Sequence, residues 1–464
     1  MRFQDVTGIA RDYLFGGMII AVLGILVVGA GYFVVYKWVL RGKRTLSYGK
    51  LGLGLVSFLY LFVVMGAVLL NRHPGVESVQ LQPFHSYRLA WHYWSVKEWR
   101  NVILNILMFV PIGFLLPLWS ARLRRFWLAG LLAFGFSLLI ELTQLLTGRG
   151  VLETDDLIGN TVGGLIGYGL GMLVIHLFQR KRLSMGKVVG YLTPVLITIG
   201  AFGGIFVAYA TQELGNLGSA YVISYNTDEV TIASEVEMSS ELAEVPIYAV
   251  HVGSKQDTRS LAEGLFQRIG AKLDEAEIDI YYDSALYYSE GRAQSVWVDF
   301  QGMNYRYIHF TPITDEAVAA VDADEAQVRE ALMKMGIELP LEMIFEALDD
   351  SRYLFTADML PVGGYIWHGD FQVDYHTDGV IKRIMNDVLL LRPYRTGEII
   401  SEAEAYEQLS AGRFVSWRRT FDSLTITEVN LDYEMDTKGY VQPIYRFHVL
   451  FDDEETVINI PALK

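Results

Sequence analysis

Six apolar runs fall in the first 211 residues, at about 13–40, 51–70, 101–119, 126–146, 157–178 and 188–210. Each is long enough to cross about 30 Å of hydrocarbon at roughly 1.5 Å per residue. Beyond residue 211 the pattern changes to helical periods alternating with strand-like alternation. The expected fold class is an α-helical polytopic membrane bundle of about six transmembrane helices over 1–211, followed by an α+β domain over 212–464. The first run is too long for a secretion signal. It lacks a basic leader ahead of a small-residue cleavage site, and its basic cluster lies behind it.

Charge sharpens this division. Residues 1–211 hold 19 basic and 8 acidic side chains, a net +11, and the remainder holds 19 basic and 45 acidic, a net −26. The acidic half suits solvent and is a poor partner for nucleic acid or anionic lipid. The chain has no cysteine, which excludes disulfides and thiolate chemistry. No metal site and no cofactor is expected.

Basic residues set the expected orientation. Arg41, Lys43, Arg44 and Lys50 follow the first run; Arg122, Arg124 and Arg125 follow the third; Arg180, Lys181, Arg182 and Lys187 follow the fifth. These alternate loops should be cytoplasmic. The N-terminus, the 71–100 loop, the 147–156 turn and the C-terminal half should then be extracytoplasmic, in a bacterial-type multi-pass arrangement.

That orientation puts the costly polar residues at one depth. Asn105 lies near the start of an inward run, Glu141 and Gln144 near the end of an outward one, and Asp155, Asp156 and Asn160 at the mouth of the next. Intramembrane carboxylates and carboxamides invite a functional reading. Glu141 and Gln144 share a helix side, as do Asp156 and Asn160. Arg149 and Arg100 are candidate partners for the Glu141 carboxylate. Plainer readings stand beside this one: either aspartate as a helix cap, or Asn105 and Gln144 as an interhelical pair with no ligand. Gly159, Gly163, Gly167 and Gly171 keep a spacing of four, a ridge that allows close helix packing within one chain or between two. Pro111 and Pro117 remove backbone donors from the third run, so the Leu107 carbonyl loses its usual partner.

Asn105, Phe109, Pro111, Gly113 and Pro117, then Glu141 and Gln144, then Arg149, Asp155, Asp156, Asn160 and Gly163 resemble the VanZ-like family in order and spacing. Pro83 and Phe84 fit the lead-in to its first motif. The resemblance covers about residues 55–178 and implies an integral membrane protein. The family's named member is associated with low-level resistance to teicoplanin-type glycopeptides, and the family has no agreed biochemical activity.

In the C-terminal half, helical patterns at 260–272, 324–335 and 401–409 each precede a strand pair: 295–300 with 305–310, 365–375 with 380–385, and 425–433 with 442–451. Asp378-Gly379 reads as a turn and Ser401 as a helix cap. This threefold helix-plus-hairpin pattern is similar to PepSY-type and YycH/YycI-type extracytoplasmic regulatory domains. His251, His309, His368, His376 and His448 are scattered without metal-ligand spacing, and Trp367-His368-Gly369-Asp370 reads as an aromatic strand entering a turn.

Two main functions fit. In one, Asn105, Glu141, Gln144, Arg149, Asp155, Asp156 and Asn160 line an outer-leaflet pocket in the lipid bilayer for a lipid headgroup, a wall precursor or a glycopeptide. In the other, a membrane enzyme acts on an envelope lipid with Glu141 as general acid or base. A third reading makes the bundle a scaffold that displays the C-terminal half.

Overall fold

A computed structural model of the chain describes residues 47–70, 76–179, 184–221, 223–225, 227, 230–310, 323–349, 351–376, 380–415, 421–452 and 454–464, with Met18 and Trp38. The expected first span at 13–40 and the Asp378-Gly379 turn lie outside these residues. Two compact units meet in sequence at Gln212 and Glu213.

In the first unit the helices are α1 (Tyr48–Met65), α2 (His85–His92), α3 (Val96–Trp119), α4 (Phe126–Leu146), α5 (Thr154–Phe178) and α6 (Met185–Thr211). All but α2 are long and apolar enough to cross a membrane, five among the described residues. The chain is a multi-pass membrane protein. At its first turn α3 is capped by the Ser95 hydroxyl, which accepts the Glu98 N–H, and it runs unbroken through Pro111 and Pro117. Near these prolines the Met108 carbonyl gains a donor, the Tyr60 hydroxyl on α1.

The glycine ridge of α5 packs within the chain. A Cβ on Gly163 would collide with the Ile106 carbonyl, one on Gly167 with the Val110 carbonyl, and one on Gly171 with Phe114 and Pro117. The backbones of α3 and α5 therefore approach as closely as only glycine permits. On α3, Gly113 answers in kind against Gly164.

Two short strands tie the connections at one end of this bundle. β1 (Val76–Gln80) pairs in parallel with β2 (Arg149–Glu153), from Val76 opposite Arg149 to Gln80 opposite Glu153. The expected turn at 147–156 is thus partly a strand. Its partner lies some 70 residues away, so nothing local announces the pairing.

The second unit carries β3 (Ile223–Ser224), β4 (Thr231–Ser234) and β5 (Glu244–Val250) before its first helix, α7 (Lys255–Arg268). The strands β6 (Leu273–Ile280), β7 (Ser284–Ser289), β8 (Gln294–Asp299) and β9 (Tyr305–His309) follow, then α8 (Glu325–Lys334). Next come β10 (Ile344–Asp349), β11 (Arg352–Val362), β12 (Tyr365–Tyr375), β13 (Ile381–Asn386) and β14 (Leu389–Glu398). The unit closes with α9 (Glu402–Ser410), β15 (Arg413–Phe414), β16 (Ser423–Met435), β17 (Tyr440–Phe451) and β18 (Glu454–Pro461). Each helix therefore precedes a longer antiparallel run than the expected single hairpin.

One sheet runs through the unit in the order β4-β16-β17-β5-β14-β12-β13-β9-β8-β7-β6, with β10, β11 and β18 branching from it. It supports two cores. One gathers Phe266, Tyr287, Leu332, Phe355 and Phe371 beneath α7 and α8. The other gathers Leu409, Phe414, Phe447 and Phe451 beneath α9. All three helices start with a reciprocal capping box: Ser254 with Asp257, Asp324 with Gln327, and Ser401 with Glu404.

Candidate functional site

The polar side chains expected to act together all lie at the end of the bundle where α3 begins, α4 ends and α5 begins. Glu141, Gln144, Asp155 and Asn160 are buried, while Asn105, Arg149 and Asp156 are half-buried. They form a seam of separate contacts along neighbouring helices. The expected Asn105–Gln144 pair is not made, because each amide finds a nearer partner.

On α3, the Asn105 amide donates to the Asp156 carboxylate on α5. The close approach at Gly159, whose added Cβ would lie 3.6 Å from the Asn105 Cβ, brings the two helices near enough for that bond. One turn deeper on α5, Asn160 Nδ2 donates to Ser137 Oγ at 2.8 Å, linking α5 to α4. Ser137, Glu141 and Gln144 follow one face of α4 at helical spacing. Glu141 Oε2 accepts the Glu153 N–H at 3.3 Å, and Gln144 Nε2 donates to the Val68 carbonyl beyond α1 at 3.1 Å.

Asp155 has a different task. Its two carboxylate oxygens accept the Phe84 N–H at 2.5 Å and the Ser86 N–H at 2.7 Å. Both amides belong to the start of α2, where Phe84 sits at φ 61°, a left-handed conformation that bulky residues seldom adopt. Ser86 Oγ also donates to Glu153 at 3.0 Å. Asp155 is therefore a grip on α2. Tyr87, on the next turn, has its hydroxyl pushed up to about 12 by burial and then by the charges of Asp155 and Asp156.

Two acceptors at this end are left over. Gln144 Oε1 and Asn160 Oδ1 are buried with no hydrogen-bond partner among the described residues. A buried carbonyl oxygen without a donor is costly. Each side chain uses its N–H group on one helix neighbour and presents its oxygen elsewhere. Among the described residues no cluster of three or more His, Asp or Glu could hold a metal ion.

Sequence reasoning missed Ser137, Ser86 and the Val68 carbonyl. Ser137 was findable: it lies one turn before Glu141 on the same face. The other two come from segments that only the tertiary fold brings to the seam.

Residues 53–179, which include the whole seam, match the family model VanZ/LLP1. The chain is also 30% identical over 161 residues to Protein VanZ of Enterococcus faecium, across 34% of this chain and 92% of that protein. This chain belongs to the VanZ-like family. Its VanZ-like part holds α3, α4, α5 and most of α1, and its C-terminal half is additional to the matched region. Two solved structures are loosely similar. An uncharacterized protein from Eubacterium rectale gives a TM-score of 0.28 at 11% identity, covering 50% of this chain and 87% of that one. The YpeB C-terminal domain of Bacillus megaterium gives 0.21 at 12%, covering 46% and 93%.

Proposed function

We propose that this VanZ-like protein binds the polar head of an envelope amphiphile at the seam, with the seam facing the outside of the cell. The carrying observation is the pair of buried, unpartnered oxygens on Gln144 and Asn160. They call for hydrogen-bond donors, and a headgroup bearing hydroxyl, amide or ammonium groups supplies them. The alternating basic loops support the outward orientation, and with it an N-terminus and a C-terminal half outside the cell. A lipid headgroup, a wall precursor and a teicoplanin-type glycopeptide all fit this description, the last in keeping with the resistance phenotype of the family's named member. The test is binding of a fluorescent teicoplanin-type ligand to the purified chain in nanodiscs. Gln144→Leu and Asn160→Leu should each weaken it about tenfold, and Glu141→Gln should weaken it as well. Unchanged affinity in all three variants removes the seam from the binding site.

A scaffold reading has one observation in its favour. The segment just after α6 is fastened to the β16–β17 hairpin by buried Asp436. That carboxylate accepts the Gly215, Lys438 and Tyr440 N–H groups and the Gln442 amide at 2.6–3.0 Å. The C-terminal half thus begins almost at once after the last span. If the C-terminal half expressed alone restores the phenotype of a deletion strain, the scaffold reading takes precedence.

A further inference from the structure

A hollow of about 240 Å³ opens between the C-terminal ends of α7 and α8 and the strands β8, β9 and β13. Its polar lining is Arg268, Gln294, Tyr307, His309 and Lys334, with apolar side chains behind them. Among the described residues no carboxylate lines it, although residues 212–464 carry a net −26. We propose that this hollow is an oxyanion site that receives a phosphoryl group.

Arg268 and Lys334 are the last-turn cations of α7 and α8. Compensation of the helix dipole accounts for one cation at each end. Two helix C-termini at one hollow would by themselves repel an anion, so only the side-chain cations there and the donors that face them from the strands favour one. Dipole compensation does not account for those strand donors. Gln294 Oε1 already accepts the Ser289 hydroxyl at 2.6 Å, which leaves the amide N–H groups as the end available to a ligand. Burial pushes the Tyr307 hydroxyl above its ordinary range, so it stays a donor. Lys334 pairs with Glu330 at 2.9 Å on the solvent side, and an ammonium has three donors.

The lining therefore offers donors and asks for acceptors. Helix ends and strands approach from different sides, which suits a phosphoryl group's several oxygens better than a planar carboxylate's two. Arginine is well matched to phosphate. The volume lies below the roughly 300–1,000 Å³ of pockets for drug-sized ligands, so the occupant is a phosphate with a short substituent. Free phosphate and the phosphodiester of an envelope polymer or lipid share that chemistry.

The experiment uses the purified full-length chain in nanodiscs of phosphatidylcholine. Calorimetric titrations with inorganic phosphate, glycerol 3-phosphate and the diester glycerophosphoglycerol are compared with acetate. At least one phosphoryl probe should bind saturably, and acetate at least tenfold more weakly. Arg268→Gln and Lys334→Gln should each weaken that binding tenfold or more, while Lys255→Gln, the same charge change at the other end of α7, leaves it unchanged. Binding of phosphate but not the diester assigns the site to free phosphate; binding of the diester assigns it to a polymer or lipid. If Arg268→Gln disturbs folding, Lys334→Gln decides, because that side chain is 72% exposed. No saturable phosphoryl binding, equal binding of acetate, or an equal loss in Lys255→Gln overturns the proposal.

Discussion

Two neighbouring helices of the membrane unit have nearly the same mean hydropathy, 1.7 for α5 and 1.8 for α6, and both are rich in glycine. Their places in the fold are opposite. The apolar window of α5 is 44% buried and that of α6 is not buried at all. The ridge glycines Gly163, Gly167 and Gly171 meet the backbone of α3, whereas Gly186, Gly190, Gly200, Gly203 and Gly204 of α6 have nothing within 4 Å. Glycine content and hydropathy do not distinguish a hub from a periphery. An unbroken run of four glycines at a spacing of four does, because it repeats one face along the helix. The isolated pairs of α6, Gly186 with Gly190 and Gly200 with Gly204, share the spacing and meet nothing within 4 Å.

Contacts near its two ends hold α6. Near one end the Tyr191 carbonyl lies where a Cβ on Gly169 of α5 would be. Toward the other, Trp94 stacks on Tyr209 at 3.4 Å between ring centroids, and Trp91, Trp99 and Phe206 pack around them. Between the compared helices stands α2: its start is gripped by Asp155 of α5, and Trp91 near its end packs against α6.

The largest expected effect breaks the comparison directly. Gly163→Leu forces a side chain into the Ile106 carbonyl, and overpacking of this kind costs about 1–3 kcal/mol or more. Gly200→Leu meets open space and should stay within about 0.5 kcal/mol. Thermal unfolding of both variants in nanodiscs measures the gap. Equal Tm values would show that the ridge does not set the α3–α5 packing.

Next in size is the grip on α2. Asp155→Asn keeps the shape and removes the charge from two bonds to backbone N–H groups, each hydrogen bond to a charged group being worth about 1.5–3 kcal/mol. Amide hydrogen exchange over 84–92 should accelerate, and exchange within the centre of α5 should not. Protection unchanged across 84–92 would place the hold on α2 elsewhere.

The five described spans, the glycine ridge and the gathering of the polar residues at one end of the bundle were legible because hydropathy and helical period are local properties. The partners were less so. Asn105, Glu141, Gln144 and Asn160 were picked out as costly, yet which of them meet depended on Ser137, the Val68 carbonyl and the Glu153 amide. Asp155 could be read as a cap from its position at the helix start. That it caps a different helix depends on the path of the 76–95 loop. In the second unit, β8, β9, β12, β13, β16 and β17 followed from alternation and Ser401 from capping chemistry. β14 was hidden by Pro393, which removes a ladder donor, and the register with β5 shifts at that residue. The acidic run of β6 and the brevity of β2 concealed those strands in the same way: their side chains do not advertise a buried face.

Trp94→Leu sharpens the comparison from the α6 side. It keeps an apolar side chain and removes the stacked ring, a loss of about 0.5–1.5 kcal/mol per aromatic pair. Because α6 has few other contacts, the change should appear as faster exchange over 202–211 with little change in global Tm. The reverse, a fall in Tm with 202–211 still protected, would make the aromatic cluster part of the bundle core.

The smallest effect is a pH dependence at α2, the element both compared helices touch. Burial, then the Arg88 charge, hold the His92 imidazole below its ordinary pKa. The closed state therefore binds the proton less readily than the open one. The stability this residue contributes is present above the ordinary value of about 6.5 and is lost as pH falls below it. Exchange over 85–92, corrected for its intrinsic pH dependence, should therefore accelerate between about pH 7 and 5.5. The change is modest because the ring is only half-buried. His92→Gln should flatten the profile while leaving the grip of Asp155 on the start of α2 in place. An identical pH profile in that variant would move the sensitivity to the carboxylates of the seam. It would then belong to α5 and not to the bridge between α5 and α6.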